Sequence, residues 1–307
     1  MNYSIKSFIK GLISYTPAKY LLKKKGTGGT DSARYCYSVW LRHLILLYRS
    51  GLKEHPKIIA ELGPGDSLGV GLAALITGAD KYYAFDVIAH TDLKKNISIF
   101  EELLKLFENQ TDIPDETEFP ELKPTLDDYS FPKHIINFNI NLLNSKIKQI
   151  YENLRGNSND IIKYVVPWST IKNFKEEKVD LIFSQAVMEH IIELESAYKI
   201  MFKWLKEGGY ISHQIDFRAH ETHKVWNGHW KYSNLIWKII MHGRSYPINR
   251  QPYSVHIKNI LNSGFEIRNS FIVNSKNGYK RTDFKEPFSS FENEDYLISS
   301  AHIIAKK

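Results

Sequence analysis

The 307-residue sequence contains one cysteine, Cys36, and no apolar run that reaches the roughly 18 to 20 residues needed to span a bilayer. A single cysteine excludes an intramolecular disulfide and a cysteine-rich zinc site, and it is typical of a reducing compartment. The first residues also lack a secretory signal pattern, because Lys6 and Lys10 interrupt the apolar stretch and no small-residue cleavage site follows. These absences predict a cytoplasmic protein.

The chain carries only a modest excess of positive charge. The chain has 41 Lys and Arg residues against 34 Asp and Glu residues, which gives a formal charge of +7. Such an excess suits an anionic partner such as a phosphate-bearing substrate, a membrane surface or RNA, without selecting one of them. Part of the excess lies at residues 23–25 and 306–307, where lysines solvate flexible or terminal positions.

Residues 1–56 are predicted to form a helical N-terminal extension or lid. Residues 3–22 carry apolar side chains at helical spacing with lysines between them, which predicts a helix packed on its own domain. The alternative is a basic amphipathic helix that contacts a membrane carrying a lipid-linked substrate. A Gly-rich segment at 26–30 then indicates a hinge or lid, and an aromatic helix is predicted from Ser32 to Ser50.

From Lys57 the pattern predicts one α/β domain that continues to residue 307. Helical segments alternate with predicted strands at 57–62, 81–86, 164–167, 179–183 and 210–215. This alternation predicts a Rossmann-like, doubly wound, mostly parallel sheet with helices on both faces. The interval between the second and third strands is too long for one crossover, so we interpret about 92–160 as a helical cap insertion over the active site.

A glycine-rich turn after the first strand is the first candidate site. The strand ends at Glu61, the turn is Gly63-Pro64-Gly65, and a second strand ends at Asp86. Glycines let the backbone approach a ligand, and an acid about 20 residues later suits a ribose diol. Dinucleotide enzymes use the same device, so an NAD(P)-dependent oxidoreductase stays an alternative. An acid directly before the turn, however, suits a cationic amino-acid ligand better than a pyrophosphate.

The segment Asp180–His190 matches the second signature of class I S-adenosylmethionine (SAM)-dependent methyltransferases, and residues 57–215 resemble that domain. The resemblance implies SAM as cofactor, with Asp86 on its ribose and Trp168 and Ser169 beside its adenine. Ser67 departs from the family, where many members carry a third glycine. The residues that the resemblance assigns to the cofactor are Glu61, Gly63, Pro64, Gly65, Asp86, Trp168, Ser184 and Gln185.

A hydroxyl acceptor must lose its proton during methyl transfer, which requires a positioned base or a metal. His190 follows the fourth strand, and His213 and Asp216 close the fifth, where open α/β sheets place ligands. His190 with Asp216 resembles the arrangement of some sugar O-methyltransferases, so we predict His190, Asp216 and His213 as catalytic residues. Two alternatives stay open: Glu189-His190 as a helix cap, and a metal held by His213, Asp216, His220 and His223, although we predict no metal site.

The methyl acceptor is predicted to be a small molecule or a saccharide and not a nucleic acid. Cys36 lies outside the motifs, and no Asn/Asp-Pro-Pro-aromatic motif follows the fourth strand, which argues against methylation of bases. The aromatic segment at about 217–253 places Trp226 and Tyr246 among Asn, His and Arg residues, as a polyhydroxylated ring requires. Trp230 and Trp237 stand at helical spacing in the same segment and fit core packing better.

As a whole the chain resembles methyltransferases of bacterial surface-polysaccharide clusters. This resemblance implies O-methylation of a saccharide or sugar-phosphate conjugate in polysaccharide biosynthesis. Methylation of another small molecule or of a lipid-linked head group is the first alternative. A SAM-binding protein without catalytic activity is the alternative from a different class.

Overall fold

The computed structural model describes Ser7, Ile9 and residues 30–136, 140–168, 178–244 and 246–307. Most of segment 3–22, the glycines at 26–29 and Ser169 lie outside the described residues. Contact of segment 3–22 with a membrane therefore stays a prediction, as do the hinge at 26–29 and the role of Ser169.

Within the described residues, the strands form one seven-stranded sheet in the order β3-β2-β1-β4-β5-β7-β6. β1 to β5 are mutually parallel, and β7 is antiparallel to both β5 and β6. The strands are β1 (Ile58–Leu62), β2 (Lys81–Phe85), β3 (Ile162–Val165), β4 (Val179–Gln185), β5 (Leu205–Asp216), β6 (Glu266–Asn274) and β7 (Ile298–Lys306). The chain runs outward from β1 to β3 and returns to β4, so a topological switch point lies between β1 and β4.

Helices cover both faces of this sheet, which confirms the predicted doubly wound α/β fold. They are α1 (Ala33–Arg49), α2 (Gly69–Thr77), α3 (Leu93–Glu108), α4 (Ile140–Leu154), α5 (Leu194–Trp204), α6 (Asn234–Met241) and α7 (Tyr253–Asn262). α1 to α4 share one apolar cluster with one face of the sheet, and α5 and α7 pack on the opposite face. Among these helices of the described chain, none combines the length and the apolarity needed to cross a membrane.

Helix α1 belongs to the core layer. The helix begins after Ser32, whose hydroxyl accepts a hydrogen bond from the Tyr35 N–H at 3.3 Å. Nearly every residue from Cys36 to Leu47 is buried, and the Trp40 indole N–H donates to Thr77 Oγ1 on α2 at 2.8 Å. The predicted helix from Ser32 to Ser50 is therefore confirmed, and a hinge or lid stays a prediction for the glycine-rich segment before it.

Arg42 on α1 fastens the long segment between α3 and α4 to the core. Its guanidinium is buried and donates to the carbonyl oxygens of Pro114 at 3.2 Å and Pro124 at 2.6 Å. It also lies over the Tyr129 ring, 5.0 Å from the ring centre. Because buried carbonyl groups need donors, one side chain satisfies two turns of an otherwise irregular segment.

We expect Arg42→Met to lower the free energy of unfolding by about 2 to 3 kcal/mol, because it leaves the buried Pro124 carbonyl without its donor, while the Pro114 carbonyl keeps the Ser38 hydroxyl at 2.9 Å. Arg49→Met is the matched control, since Arg49 on the same helix makes only an exposed ion pair with Asp127 at 3.2 Å. The control should cost less than about 1 kcal/mol. Denaturant unfolding of both variants measures the difference, and equal costs would contradict the anchoring role of Arg42.

Candidate functional site

A cavity of about 440 Å³ opens at the carboxyl ends of β1, β2 and β4. Its volume lies within the range of roughly 300 to 1,000 Å³ that is usual for small-molecule sites. The turns after these three strands form its floor, and Thr30, Tyr35, Trp168, Tyr246 and Pro247 complete its walls. No described residue between 92 and 160 lines it, and the described helices of the insertion pack on one face of the sheet, so a cap over this site stays a prediction.

The glycine turn forms the wall next to the switch point. Gly63 and Gly65 have φ angles of +68° and +75°, which favour glycine. A Cβ atom on Gly63 would stand 2.6 Å from Val187 Cγ2. The Gly63 N–H donates to Phe85 O at 2.8 Å and so ties the turn to β2. The turn therefore presents bare backbone to the cavity, as the sequence predicted for Gly63, Pro64 and Gly65.

Ser67, at the position where many members of the resembling family carry a third glycine, makes side-chain hydrogen bonds at the turn that a glycine could not make. Its hydroxyl accepts from the Gly69 N–H at 3.1 Å, at the start of α2, and donates to the Thr30 carbonyl. The Thr30 hydroxyl in turn accepts from the Asp66 N–H at 2.8 Å. These bonds hold the end of the glycine-rich segment against the turn, which is why Thr30 reaches the cavity.

Asp86 ends β2 at the edge of the cavity. One carboxylate oxygen accepts from the Val87 N–H at 2.7 Å, and the other accepts from the Gly65 N–H at 3.4 Å. Burial raises the pKa of this carboxyl, and the backbone N–H groups oppose that rise. A carboxylate fixed in this way can accept hydrogen bonds from two vicinal hydroxyl groups, which fits the predicted ribose contact.

Glu61 is a buried carboxyl that lines the cavity. The Tyr82 hydroxyl donates to Glu61 Oε2 at 2.5 Å. Tyr82 can reach it because Gly71 on α2 has no Cβ, which would lie 2.0 Å from the tyrosine ring. Burial raises the pKa of Glu61 to about 8, against the lowering effect of the Tyr82 hydroxyl. A cation in the cavity would stabilise the ionised carboxylate, so Glu61 fits an ammonium group of a ligand.

Trp168 and Gln185 line the cavity, whereas Ser184 does not. Side chains alternate along β4, so Ser184 and Gln185 point to opposite faces of the sheet. The Ser184 hydroxyl lies 2.7 Å from His213 Nδ1 inside the core. The prediction that Ser184 contacts the cofactor is therefore wrong for its side chain. Alternation along the strand directs the Ser184 side chain to the face opposite that of Gln185, away from the cavity.

His190 closes a short 3₁₀ turn, Met188–His190, and lines the cavity. Its Nδ1 atom lies 3.1 Å from the Pro247 carbonyl oxygen. Because a carbonyl only accepts, Nδ1 must carry the hydrogen, and the lone pair then resides on Nε2. Among the described residues, Nε2 has no hydrogen-bond partner. Burial, reinforced by the nearby His220, lowers the pKa of His190 to about 4, so the ring is a neutral base.

The other two predicted catalytic residues lie outside the cavity wall. His213 is completely buried in β5, and burial lowers its pKa to about 3, so it belongs to the core and its catalytic assignment is wrong. Asp216 is paired with Arg218, whose Nη2 lies 2.7 Å from Asp216 Oδ2. His220 Nε2 lies 3.6 Å from the same oxygen. Asp216 therefore stands close to His190 but makes no hydrogen bond with it.

A metal centre is not formed by the described residues, which contain no group of three or more His, Cys, Asp or Glu side chains placed to hold an ion. The alternative set of His213, Asp216, His220 and His223 does not converge. His213 faces the core, and the nearest partner of Asp216 is Arg218.

The aromatic segment at 217–253 divides between core and cavity. Trp230 and Trp237 are only 2% and 8% exposed and form small apolar clusters with their neighbours, which confirms core packing for both. Tyr246 and Pro247 line the cavity instead. Pro247 contributes through its carbonyl oxygen, and Thr30 through its position beside the glycine turn. Sequence reasoning missed both contributions, because backbone groups and loop placement leave no side-chain pattern.

Residues 134–212 match the family model described as a methyltransferase domain. This range includes β3, β4 and most of β5, and it contains His190 but not the glycine turn. No protein in the curated collection matches the chain.

Similar folds occur among solved structures. A SAM-dependent methyltransferase from Mesorhizobium loti is 12% identical, with 86% of this chain and 98% of that chain covered and a TM-score of 0.43. One from Methanosarcina mazei is 12% identical, with 85% and 96% covered and a TM-score of 0.41. Phosphoethanolamine N-methyltransferase 2 of Haemonchus contortus, solved with SAM, is 13% identical, with 90% and 57% covered and a TM-score of 0.43. These values identify no substrate.

The matched range is about a quarter of the chain, and its description supports methyl transfer as the activity. The protein is thus a methyltransferase enzyme, and SAM is its cofactor. The oxidoreductase alternative rested only on the glycine turn, and the match to a methyltransferase domain gives it no support.

We expect Gly63→Ala to weaken SAM binding more than about tenfold. The added Cβ meets Val187, and the positive φ costs about 1 to 2 kcal/mol for any other residue. Gly156→Ala is the matched control, because Gly156 has a φ of +76° with open space around its Cβ position. Calorimetric titration with SAM compares the two variants. Equal and intact affinities would refute the role of this close approach.

Proposed function

We propose that the enzyme transfers the methyl group of SAM to a hydroxyl oxygen, with His190 as the general base. The observation that carries this proposal is the neutral imidazole at the cavity wall, whose Nε2 atom has no partner among the described residues. An amine acceptor that is already unprotonated needs no such base, whereas a hydroxyl group does.

SAM, when bound, supplies an electrophilic methyl group on a sulfonium. As the acceptor oxygen bonds to that methyl carbon, the carbon–sulfur bond breaks and its electron pair stays on sulfur. The hydroxyl proton passes to His190 Nε2. The Pro247 carbonyl keeps the Nδ1–H of His190 occupied, so only Nε2 is available to receive the proton. The charge of Asp216 favours the imidazolium that results.

We assign the cofactor residues by the same reasoning. Gly63, Pro64 and Gly65 offer a backbone surface to the amino-acid part of SAM, and Glu61 faces its ammonium group. Asp86 accepts hydrogen bonds from the ribose hydroxyls, and Trp168 and Gln185 complete the wall. All of these residues line the same cavity as His190, which supports a shared role.

A saccharide or sugar-phosphate conjugate is the proposed acceptor class. The resemblance to methyltransferases of polysaccharide clusters supplies this part of the proposal. The His190 ring and the Tyr246 side chain bring polar atoms to the wall of this cavity. Incubation with labelled SAM and a panel of polysaccharide precursors, followed by mass spectrometry, tests the class directly. Methylation of an amine and of no hydroxyl in the panel would overturn it.

We expect His190→Gln to lower kcat by about 10² to 10⁴-fold, the usual contribution of a general base. The affinity for SAM should stay within about twofold, since the cofactor contacts are untouched. His134→Gln is the control, because His134 is exposed and does not line the cavity. Full turnover of the His190 variant would remove this residue from the mechanism.

The raised pKa of Glu61 predicts a pH-dependent affinity for SAM. In the free enzyme the carboxyl is neutral below about pH 8. An ammonium ligand favours the ionised form, so binding releases a proton, and affinity should fall as the pH drops from 8 towards 6, by up to about tenfold per unit. Glu61→Gln should bind more weakly but lose this dependence.

Calorimetry in buffers of different ionisation enthalpy counts the proton. We expect close to one proton released per SAM bound at pH 7 in the wild type, and none in Glu61→Gln. The assignment of Glu61 to the ammonium group is wrong if both proteins release the same number.

A further inference from the structure

Residues 246–249, which we call the strap, cross the cavity from the cofactor side to the His190 turn. At its first end, the Tyr246 hydroxyl is hydrogen-bonded to His90 Nε2 in the loop that follows β2 and Asp86. The Tyr246 ring lies between two imidazoles, with centroid distances of 5.9 Å to His90 and 5.8 Å to His190. The strap therefore contacts the loop that carries the ribose acid and the base itself.

At the other end, Asn249 holds the turn after β4. Its side-chain Nδ2 donates to Met188 O at 2.9 Å and to Ile191 O at 2.8 Å, and its backbone N–H donates to Glu189 O at 2.8 Å. Its Oδ1 atom accepts from the Gln251 N–H at 2.8 Å. Both N–H groups of the amide and its oxygen are thus engaged, and three of these bonds enclose His190 on the turn.

The bond from His190 Nδ1 to the Pro247 carbonyl lies between these two anchors. Pro247 is two residues from Asn249 along the strap, and His190 lies within the turn that Asn249 binds. Asn249 therefore holds both His190 and Pro247, whose hydrogen bond selects the Nδ1–H tautomer of His190. Loss of its side-chain donors would free the turn to rotate and the imidazole to exchange its proton between Nδ1 and Nε2.

We propose that Asn249 is a positioning residue that keeps His190 in the Nδ1–H tautomer, and that the Tyr246–His90 bond links this arrangement to the cofactor loop. The proposal rests on the proposed function only in giving His190 the role of base. In this scheme the strap prevents the inactive tautomer of His190, in which Nε2 carries a hydrogen and cannot take the hydroxyl proton of the methyl acceptor.

Asn249→Asp tests the proposal with little change of size, because it removes both side-chain N–H donors and keeps an oxygen that can accept from Gln251. We expect kcat to fall about 10²-fold, the loss that a misplaced catalytic group produces, with SAM affinity within about twofold. Asn259→Asp on α7 is the matched control, since that side chain also donates to a carbonyl, Val255 O at 2.8 Å, away from the cavity. The control should keep its turnover.

The tautomer itself is measured by ¹⁵N NMR of histidine-labelled protein, with the His190 signals identified by their loss in His190→Gln. We expect the Nδ1–H pattern in the wild type and a shift towards Nε2–H in Asn249→Asp. This readout needs no acceptor, so it fails or succeeds independently of the proposed O-methylation. An Nε2–H pattern in the wild type, or an unchanged tautomer in a folded Asn249→Asp, would overturn the role of Asn249.

Two further variants complete the test. Asn249→Ser, which retains one donor, takes the place of Asn249→Asp if the aspartate does not fold, and an intermediate shift of the tautomer is then expected. Tyr246→Phe keeps the ring and loses only the bond to His90. Addition of SAM should change the His190 signals less in Tyr246→Phe than in the wild type, whereas equal responses would refute the link to the cofactor loop.

Discussion

The close approach of Gly63 to Val187 is the constraint on which the site depends. At the switch point, the turn after β1 and the turn after β4 leave no room for a side chain on Gly63, whose Cβ would stand 2.6 Å from Val187. Two loops in such close contact bring the glycine turn and His190 into one cavity. The parallel pairing of β1 with β4 fixes that distance, because the carboxyl ends of both strands meet at the same edge.

Burial then sets the protonation states of the titratable groups that lie at this edge of the sheet. The same desolvation raises the pKa of Glu61 to about 8 and lowers that of His190 to about 4, since both charged forms lose water. Burial thus leaves a carboxyl that favours a cationic ligand and an imidazole that stays neutral on the wall of one cavity. Neither protonation state depends on a strong ion pair, and the single carbonyl of Pro247 is enough to fix the tautomer of His190.

Much of the fold and half of the site could be predicted from local pattern. Alternating strands and helices placed β1 to β5, and the turn at Gly63 and Gly65 lines the cavity together with Asp86, whereas the contact of these residues with SAM stays a prediction. The cap over the site stays a prediction, and the catalytic role of His213 was wrong. Insertion length carries no information about which face of the sheet it covers, and the direction of a strand residue depends on registry that one sequence does not reveal.

The sequence by itself determined the α/β class and the position of the glycine turn, because period, glycine placement and a strand-terminal acid are local features of the chain. Only the tertiary structure decided how His190 is held. Its partners, Pro247 and Asn249, lie more than 50 residues further along the chain and act through a backbone carbonyl and a side-chain amide. Contacts of this kind arise from packing across the sheet edge, where distance in space is unrelated to distance in sequence.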